Sequence, residues 1–116
     1  MADQIKKLPA IFYQTTAGVV PVRDWLKRLS GDDRRITGGD IARAEFGWPI
    51  GMPLCRSLGG GLWEVRSNLP HGRIARVIFC VSGGHMVLLH GLEKKAQKTP
   101  RSDLELARKR QKEIEQ

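Results

Sequence analysis

Cysteine is scarce in this sequence, with only two among 116 residues. Cys55 and Cys80 are too few and too far apart for a disulfide framework or a zinc site. Cys80 lies inside an apolar run, a position typical of a small buried hydrophobic residue. This usage of cysteine indicates a reducing compartment.

Histidines with the spacing of metal ligands are also missing. His71 lies in a predicted loop, and His85 and His90 are five residues apart on one predicted strand. Because side chains alternate along a strand, those two should face opposite sides of the sheet. We therefore predict no metal site, and no cofactor.

Long apolar runs and a targeting segment are absent too. No stretch approaches the roughly 18 apolar residues of a spanning helix. Charges at Asp3, Lys6 and Lys7 are followed by no apolar signal-peptide core. Gly59-Gly60-Gly61 lacks the spacing and the following Lys-Ser/Thr of a phosphate-binding loop. We expect a cytoplasmic protein without a membrane partner.

Acidic residues are outnumbered by basic ones. Aspartate and glutamate total 12, lysine and arginine total 20, and the formal net charge is +8. Such an excess favours a polyanionic partner, which can be a nucleic acid, an anionic lipid or an acidic protein. A merely soluble basic protein is the alternative that charge alone leaves open.

The hydrophobic pattern predicts one α+β domain over residues 1–116. A first strand over 7–14 precedes two helices, the second capped near Ser30, ending at Gly47 and weakened by Gly38 and Gly39. Its core side should carry Ile36, Asp40 or Ile41, and Ala44. Residues 54–58 can be a short strand or an extended approach. Strands over 62–67, 73–81 and 85–90 follow, and Thr99 caps a final helix that Pro100 opens.

Several basic side chains are predicted to meet on this sheet. Period-two counting places Glu64 and Arg66 on one face of their strand. It places Arg76 on the face of its own strand opposite to Phe79. Lysines follow the strand over 85–90, which we expect to break at Gly91. If Arg66, Arg76 and these lysines converge, they form a cationic patch suited to phosphate, because arginine grips phosphate oxygens in pairs. The lysines concerned are Lys94, Lys95 and Lys98.

Ordinary structural roles compete with this interpretation. Arg66 can form a salt bridge to Glu64 or to the last helix. Arg76 can be a solubilising charge on an edge strand. On spacing alone, the lysines after Gly91 are better explained as a solvated loop.

Four segments resemble the phage-derived Gp49-like family, which contains HigB-type toxins of the RelE/ParE superfamily. They are Gly61-Leu62-Trp63-Glu64-Val65-Arg66, Arg73-Ile74-Ala75-Arg76-Val77, the run from Leu89 to Pro100, and the connector from Phe46 to Pro53. The resemblance covers nearly the whole chain. It implies a RelE-like fold with two N-terminal helices on an antiparallel sheet of about four strands, mixed at the first strand, plus a C-terminal helix.

The resemblance also implies an activity. The family's toxins are ribosome-dependent mRNA endonucleases in which a ribose 2′-hydroxyl attacks the adjacent phosphate without a metal ion. Carried over, Arg66 and Arg76 would clamp the phosphate, and Lys94, Lys95 or Lys98 would transfer protons and add charge. We expect Arg56, Arg73 and His90 to bind RNA. The implied partners are the ribosome, mRNA and a helix-turn-helix antitoxin similar to HigA, with operator DNA reached only through the antitoxin.

Two other functions stay open on the sequence. The same fold is found in ParE-like poisons of DNA gyrase, which have no nuclease chemistry. A non-catalytic basic module that binds nucleic acid is the third possibility.

Overall fold

The computed structural model describes residues 5–94 and 98–115, in which five strands and three α-helices form. In chain order they are β1 (Ala10–Phe12), α1 (Pro21–Arg28), α2 (Gly31–Gly47), β2 (Cys55–Gly59), β3 (Leu62–Asn68), β4 (Ile74–Ser82), β5 (His85–Lys94) and α3 (Arg101–Glu115), with a short 3-10 turn at Pro70–Gly72. Lys95, one of the predicted catalytic residues, lies outside the described residues.

The strands form one mixed sheet in the order β1-β5-β4-β3-β2. β1 runs parallel to β5, and the three other pairings are antiparallel. The α+β class and the mixed first strand are thus confirmed, but the expectation of about four strands is wrong. The fifth strand is β2, which pairs with β3 as an edge strand across the turn at Gly59-Gly60-Gly61. β1 is shorter than expected because only three of its residues pair with β5.

Helices cover the sheet on both faces. Val22 of α1 and Ile41 and Ala44 of α2 pack with Val77 and Phe79 of β4 on one face. Phe79 is fully buried. On the opposite face α3 contributes to a second cluster, whose buried members are Tyr13, Leu62, Ile78, Cys80, Val87, Leu89, Leu92 and Ala107. No helix in the described parts of the chain is long and apolar enough to cross a membrane.

α2 forms where its cap and its core contacts outweigh two glycines. The Ser30 hydroxyl accepts a hydrogen bond from the Asp33 amide at 3.2 Å, as the predicted N-cap requires. The helix continues through Gly38 and Gly39, which have no neighbouring atom within 4 Å of a Cβ position. Thr37, rather than the expected Ile36, is the buried residue of that turn.

β5 departs most from its expected form. The strand does not break at Gly91 but continues to Lys94. Gly91 serves packing instead: a Cβ there would come within 2.4 Å of the Trp25 ring. A bulge shifts the β4–β5 register between Ile78 and Phe79. The extra residue puts His90 on the same face as His85, so the expectation of opposite faces is wrong.

Candidate active site

Three arginines surround one buried carboxylate on the α3 face of the sheet. Glu64 of β3 is fully buried. Its Oε1 lies 3.3 Å from Arg56 Nε, 3.8 Å from Arg66 Nε and 3.7 Å from Arg76 Nη1. The pairing of β2, β3 and β4 creates this group, because Arg56 lies opposite Glu64 and Arg66 lies opposite Arg76. We call Arg56, Glu64, Arg66 and Arg76 the arginine cluster.

The arginine cluster differs in exposure from one side to the other. The side chains of Arg56 and Arg66 are 32% and 18% exposed, whereas that of Arg76 is fully buried. Burial lowers the pKa of the Arg76 guanidinium, Glu64 raises it, and Arg66 and Arg56 lower it again, with a net shift downwards. Three guanidinium groups face one carboxylate, so positive charge is in excess where the two partly exposed arginines meet solvent.

Thr99 joins the arginine cluster to the start of α3. Its hydroxyl donates to Glu64 Oε2 at 2.6 Å and accepts from Arg76 Nη1 at 3.1 Å. The predicted role of this residue was to cap α3, but its hydroxyl is engaged with the sheet instead. The helix itself begins at Arg101, with a hydrogen bond from the Leu104 amide to the Pro100 carbonyl.

Lys94 lies on the same face of the sheet as the arginine cluster. It pairs with Ile74 two residues beyond the row in which Arg76 pairs with Leu92, so its side chain has the same parity as Leu92. Lys94 and Lys98 are both exposed. The structure therefore brings Arg66, Arg76 and Lys94 to one face. Because β5 extends to Lys94, this lysine belongs to the strand.

Arg73 is not part of this face. It forms an ion pair with Asp33 of α2, donating from both Nη atoms at 2.7 and 3.1 Å, and donates to Glu93 at 2.8 Å. These bonds raise the pKa of the Arg73 guanidinium and lower that of the Asp33 carboxylate. Arg73 thus links α2 to the sheet on the side opposite the arginine cluster. This placement does not support the predicted contact of Arg73 with RNA.

His90 shares the face of the arginine cluster but has a local partner. Its Nε2 lies 2.6 Å from Asp103 Oδ1 of α3, and both side chains are less than one fifth exposed. The pair ties β5 to the first turn of α3. Within the described residues, no three histidine, cysteine, aspartate or glutamate side chains are grouped as a metal site would require.

Two of the ordinary structural interpretations can now be assessed. The alternative that Arg66 pairs with Glu64 is correct in geometry, although the contact is long at 3.8 Å. The alternative that Arg76 is an edge-strand charge is wrong, because β4 lies between β3 and β5 and the side chain is buried. A full burial of Arg76 also means that its guanidinium reaches a ligand only if the groups covering it move.

Glu64 and Thr99 occupy central positions that were not predicted from the sequence. A signal existed for Glu64, because period-two counting had already placed it on the face of Arg66. For Thr99 no such signal existed, since it contacts residues 35 and 23 positions away in the chain. What the assembled group can do is bind an anion: partly exposed guanidinium groups with excess positive charge, beside exposed lysines, match the oxygens of a phosphate.

The chain is similar to a known protein family over most of its length. No curated protein matches the chain. The profile of the family described as phage derived protein Gp49-like (DUF891) matches residues 24–112, a range that contains the whole arginine cluster, Lys94 and Thr99. The chain therefore belongs to the phage-derived Gp49-like family, a family of RelE/HigB-like toxins.

Proposed function

We propose that this protein is the toxin of a type II toxin–antitoxin system and that it cleaves mRNA on the ribosome. The observation that carries the proposal is the arginine cluster, with its excess of positive charge, on the same sheet face as the exposed Lys94. The net charge of +8 supports a polyanionic substrate. Membership of a RelE/HigB-like toxin family supports the biological role.

In the proposed reaction the arginines bind the phosphate that is cut. Arg56 and Arg66, which are partly exposed, contact its oxygens. Arg76 lies beneath them and adds positive charge without leaving the interior. As the ribose 2′-hydroxyl attacks, negative charge on the phosphorane increases, and fixed cations in a poorly solvated site stabilise it more than water does.

We assign proton transfer to Lys94, Lys95 and Lys98. A base removes the proton of the 2′-hydroxyl, the 2′-oxygen–phosphorus bond forms, and the bond to the leaving 5′-oxygen breaks as that oxygen takes a proton. Lys94 and Lys98, both exposed and near the end of β5, are proposed for these roles together with Lys95. A positioned acid or base contributes about 10²–10⁴-fold, so charge stabilisation and the ribosome's hold on the mRNA supply the remainder.

The test is primer extension on a reporter mRNA after brief induction of the toxin in bacteria. The wild-type protein should produce discrete cuts at in-frame codon positions. Arg66→Ala and Lys94→Ala should abolish both the cuts and the growth arrest. Arg35→Ala is the matched control, because Arg35 is a 77% exposed arginine of α2 that pairs only with Asp32 among the described residues.

Two results would contradict the proposal. Loss of DNA supercoiling without mRNA cuts would indicate a gyrase poison. Normal growth and intact mRNA at high toxin levels would indicate a basic binding module without catalysis. Measuring protein levels of each variant by immunoblot separates a lost activity from a lost protein.

We also propose that a helix-turn-helix antitoxin similar to HigA neutralises the toxin in the cytoplasm and connects it to operator DNA. A basic toxin with net charge +8 suits a partner that presents acidic surface. Co-purification of the toxin with the product of the adjacent gene tests this. Arg66→Ala should retain that binding if the antitoxin does not depend on the arginine cluster.

A further inference from the structure

The hydroxyl of Thr99 has two partners in the arginine cluster and both are buried. It donates a hydrogen bond to Glu64 Oε2 and accepts one from Arg76 Nη1. Among natural side chains of this size, only those of serine and threonine have a hydroxyl oxygen that can donate and accept in this way. Thr99 directly follows Lys98, so its hydrogen bonds also hold the backbone next to Lys98 at the sheet.

Glu64 in turn contacts the two arginines that are accessible. Arg56 and Arg66 approach Oε1 through their Nε atoms, at 3.3 and 3.8 Å. A contact through Nε leaves the two Nη groups of each arginine for another acceptor. These contacts are ion pairs and not hydrogen bonds, since Oε1 has no hydrogen-bond partner among the described residues. The position of the carboxylate charge therefore sets the point to which both guanidinium groups are attracted. Oε2 of the same carboxylate is held by Thr99 at 2.6 Å.

Stability alone does not explain this arrangement. A buried ion pair with one cation for each anion is seldom more stable than apolar residues of the same volume, and here a second and a third cation are added. Excess cations around one carboxylate favour the binding of a further anion. The cluster is thus built like a binding site whose ligand is a phosphate.

We propose that Thr99 is a positioning residue for RNA cleavage, acting through Glu64 on Arg56 and Arg66. This inference rests on the proposed nuclease function and assigns no direct contact between Thr99 and RNA. Without the hydroxyl, Glu64 loses the hydrogen bond that fixes its Oε2, and the two guanidinium groups lose a fixed centre of attraction. The positive charge of the cluster stays the same.

The charge and the orientation have separable effects on kinetics. Binding of the RNA chain depends mostly on long-range charge, which Thr99→Val leaves unchanged. Stabilisation of the transition state depends on geometry, and a misplacement of about 1 Å can cost about 10²-fold in rate. Thr99→Val should therefore lower kcat by about 10- to 100-fold and change KM by less than about threefold.

The experiment measures cleavage of a defined mRNA on purified ribosomes as a function of substrate concentration. Wild type, Thr99→Val and Thr99→Ser are compared, each checked for a cooperative thermal transition. Thr99→Ser keeps the hydroxyl and should retain kcat within about threefold of wild type. Thr99→Ala also lacks the hydroxyl and has a smaller side chain. It replaces Thr99→Val in the experiment if that variant does not fold.

The outcomes distinguish this inference from the proposed function. If the wild-type protein cuts no mRNA, the nuclease proposal and this inference both fail. If the wild type cuts and Thr99→Val or Thr99→Ala cuts equally fast, the positioning role alone is wrong. It is also wrong if Thr99→Ser is as slow as the hydroxyl-free variants, or if KM rises while kcat is unchanged.

Discussion

Arg66 and Arg76 lie directly opposite each other on neighbouring strands, with the same carboxylate oxygen of Glu64 3.8 and 3.7 Å from them. Like charges in that position repel, and a cross-strand pair of this kind ordinarily destabilises a sheet. The negative charge of Glu64 offsets this repulsion. The three arginines can therefore lie close together in the folded protein because one buried carboxylate, that of Glu64, neutralises part of their charge.

Glu64→Gln should lower the free energy of unfolding by about 3–5 kcal/mol, because it leaves buried guanidinium charge without its anion. Urea denaturation measures the change. Glu105→Gln is the control, since Glu105 and its partner Arg101 are 65% and 92% exposed. Such a surface pair contributes about 0–1 kcal/mol. Equal stability losses in the two variants would contradict the central role of Glu64.

Gly91→Ala should cost about 1–3 kcal/mol, since its methyl group would overlap the Trp25 ring. Thermal or urea unfolding measures this value. The cost should shrink in a Trp25→Leu background, because the smaller side chain vacates the space. A cost that is the same in both backgrounds would mean that Gly91 is needed for a reason other than its contact with Trp25.

Gly39→Ala should raise the free energy of unfolding by about 0.5–1 kcal/mol. Gly39 lies inside α2, is exposed, and has no atom within 4 Å of its missing Cβ. Alanine loses less backbone entropy than glycine on helix formation and meets no obstacle here. Chemical denaturation provides the measurement, and mRNA cleavage should be unchanged. A destabilised variant would show that this face of α2 is not free.

Asp33→Asn should destabilise the protein in a manner that depends on pH. Arg73 lowers the pKa of the Asp33 carboxylate in the folded state, so the ion pair contributes stability above the ordinary aspartate pKa of about 3.9. That contribution is lost as pH falls through the lowered pKa. The difference in urea midpoint between wild type and Asp33→Asn should therefore be full at neutral pH and should shrink below about pH 4.

Asp32→Asn is the comparison for that experiment. Asp32 lies beside Asp33 in the same first turn of α2, but its side chain is 83% exposed and pairs with the equally exposed Arg35. Its replacement should change the urea midpoint less than that of Asp33 at every pH. A midpoint difference for Asp33→Asn that stays constant into acid would contradict the role of the ion pair.

Local patterns in the sequence predicted local structure well. The predicted cap at Ser30 and end at Gly47 placed α2. Period-two counting put Glu64, Arg66 and Arg76 on their correct faces because no extra residue interrupts β3 and β4. The same counting failed for His90, since the bulge in β5 has no clear signature in the sequence. The sequence predicted a strand break at Gly91. A glycine that ends a strand and a glycine that makes room for an indole ring cannot be distinguished from sequence alone.

Partners distant in the chain were beyond sequence reasoning. The bidentate pair of Arg73 with Asp33 joins residues 40 positions apart, and it removes Arg73 from the face where RNA contact was expected. The burial of Arg76 likewise involves a distant residue, since its guanidinium donates to Thr99, 23 positions later in the chain. One practical result is that Arg66→Ala tests the nuclease proposal more cleanly than Arg76→Ala, which also removes a buried charge from a coupled group.

The parallel pairing of β1 with β5 has a consequence for biosynthesis. Ala10 pairs with Met86, so the first strand leaves the ribosome long before its neighbour has been translated. Contacts of such wide sequence separation form late and slow the folding of a chain. The arginine cluster is complete only when Thr99 has followed. A nascent chain thus completes this group of side chains only after nearly all of it has been made.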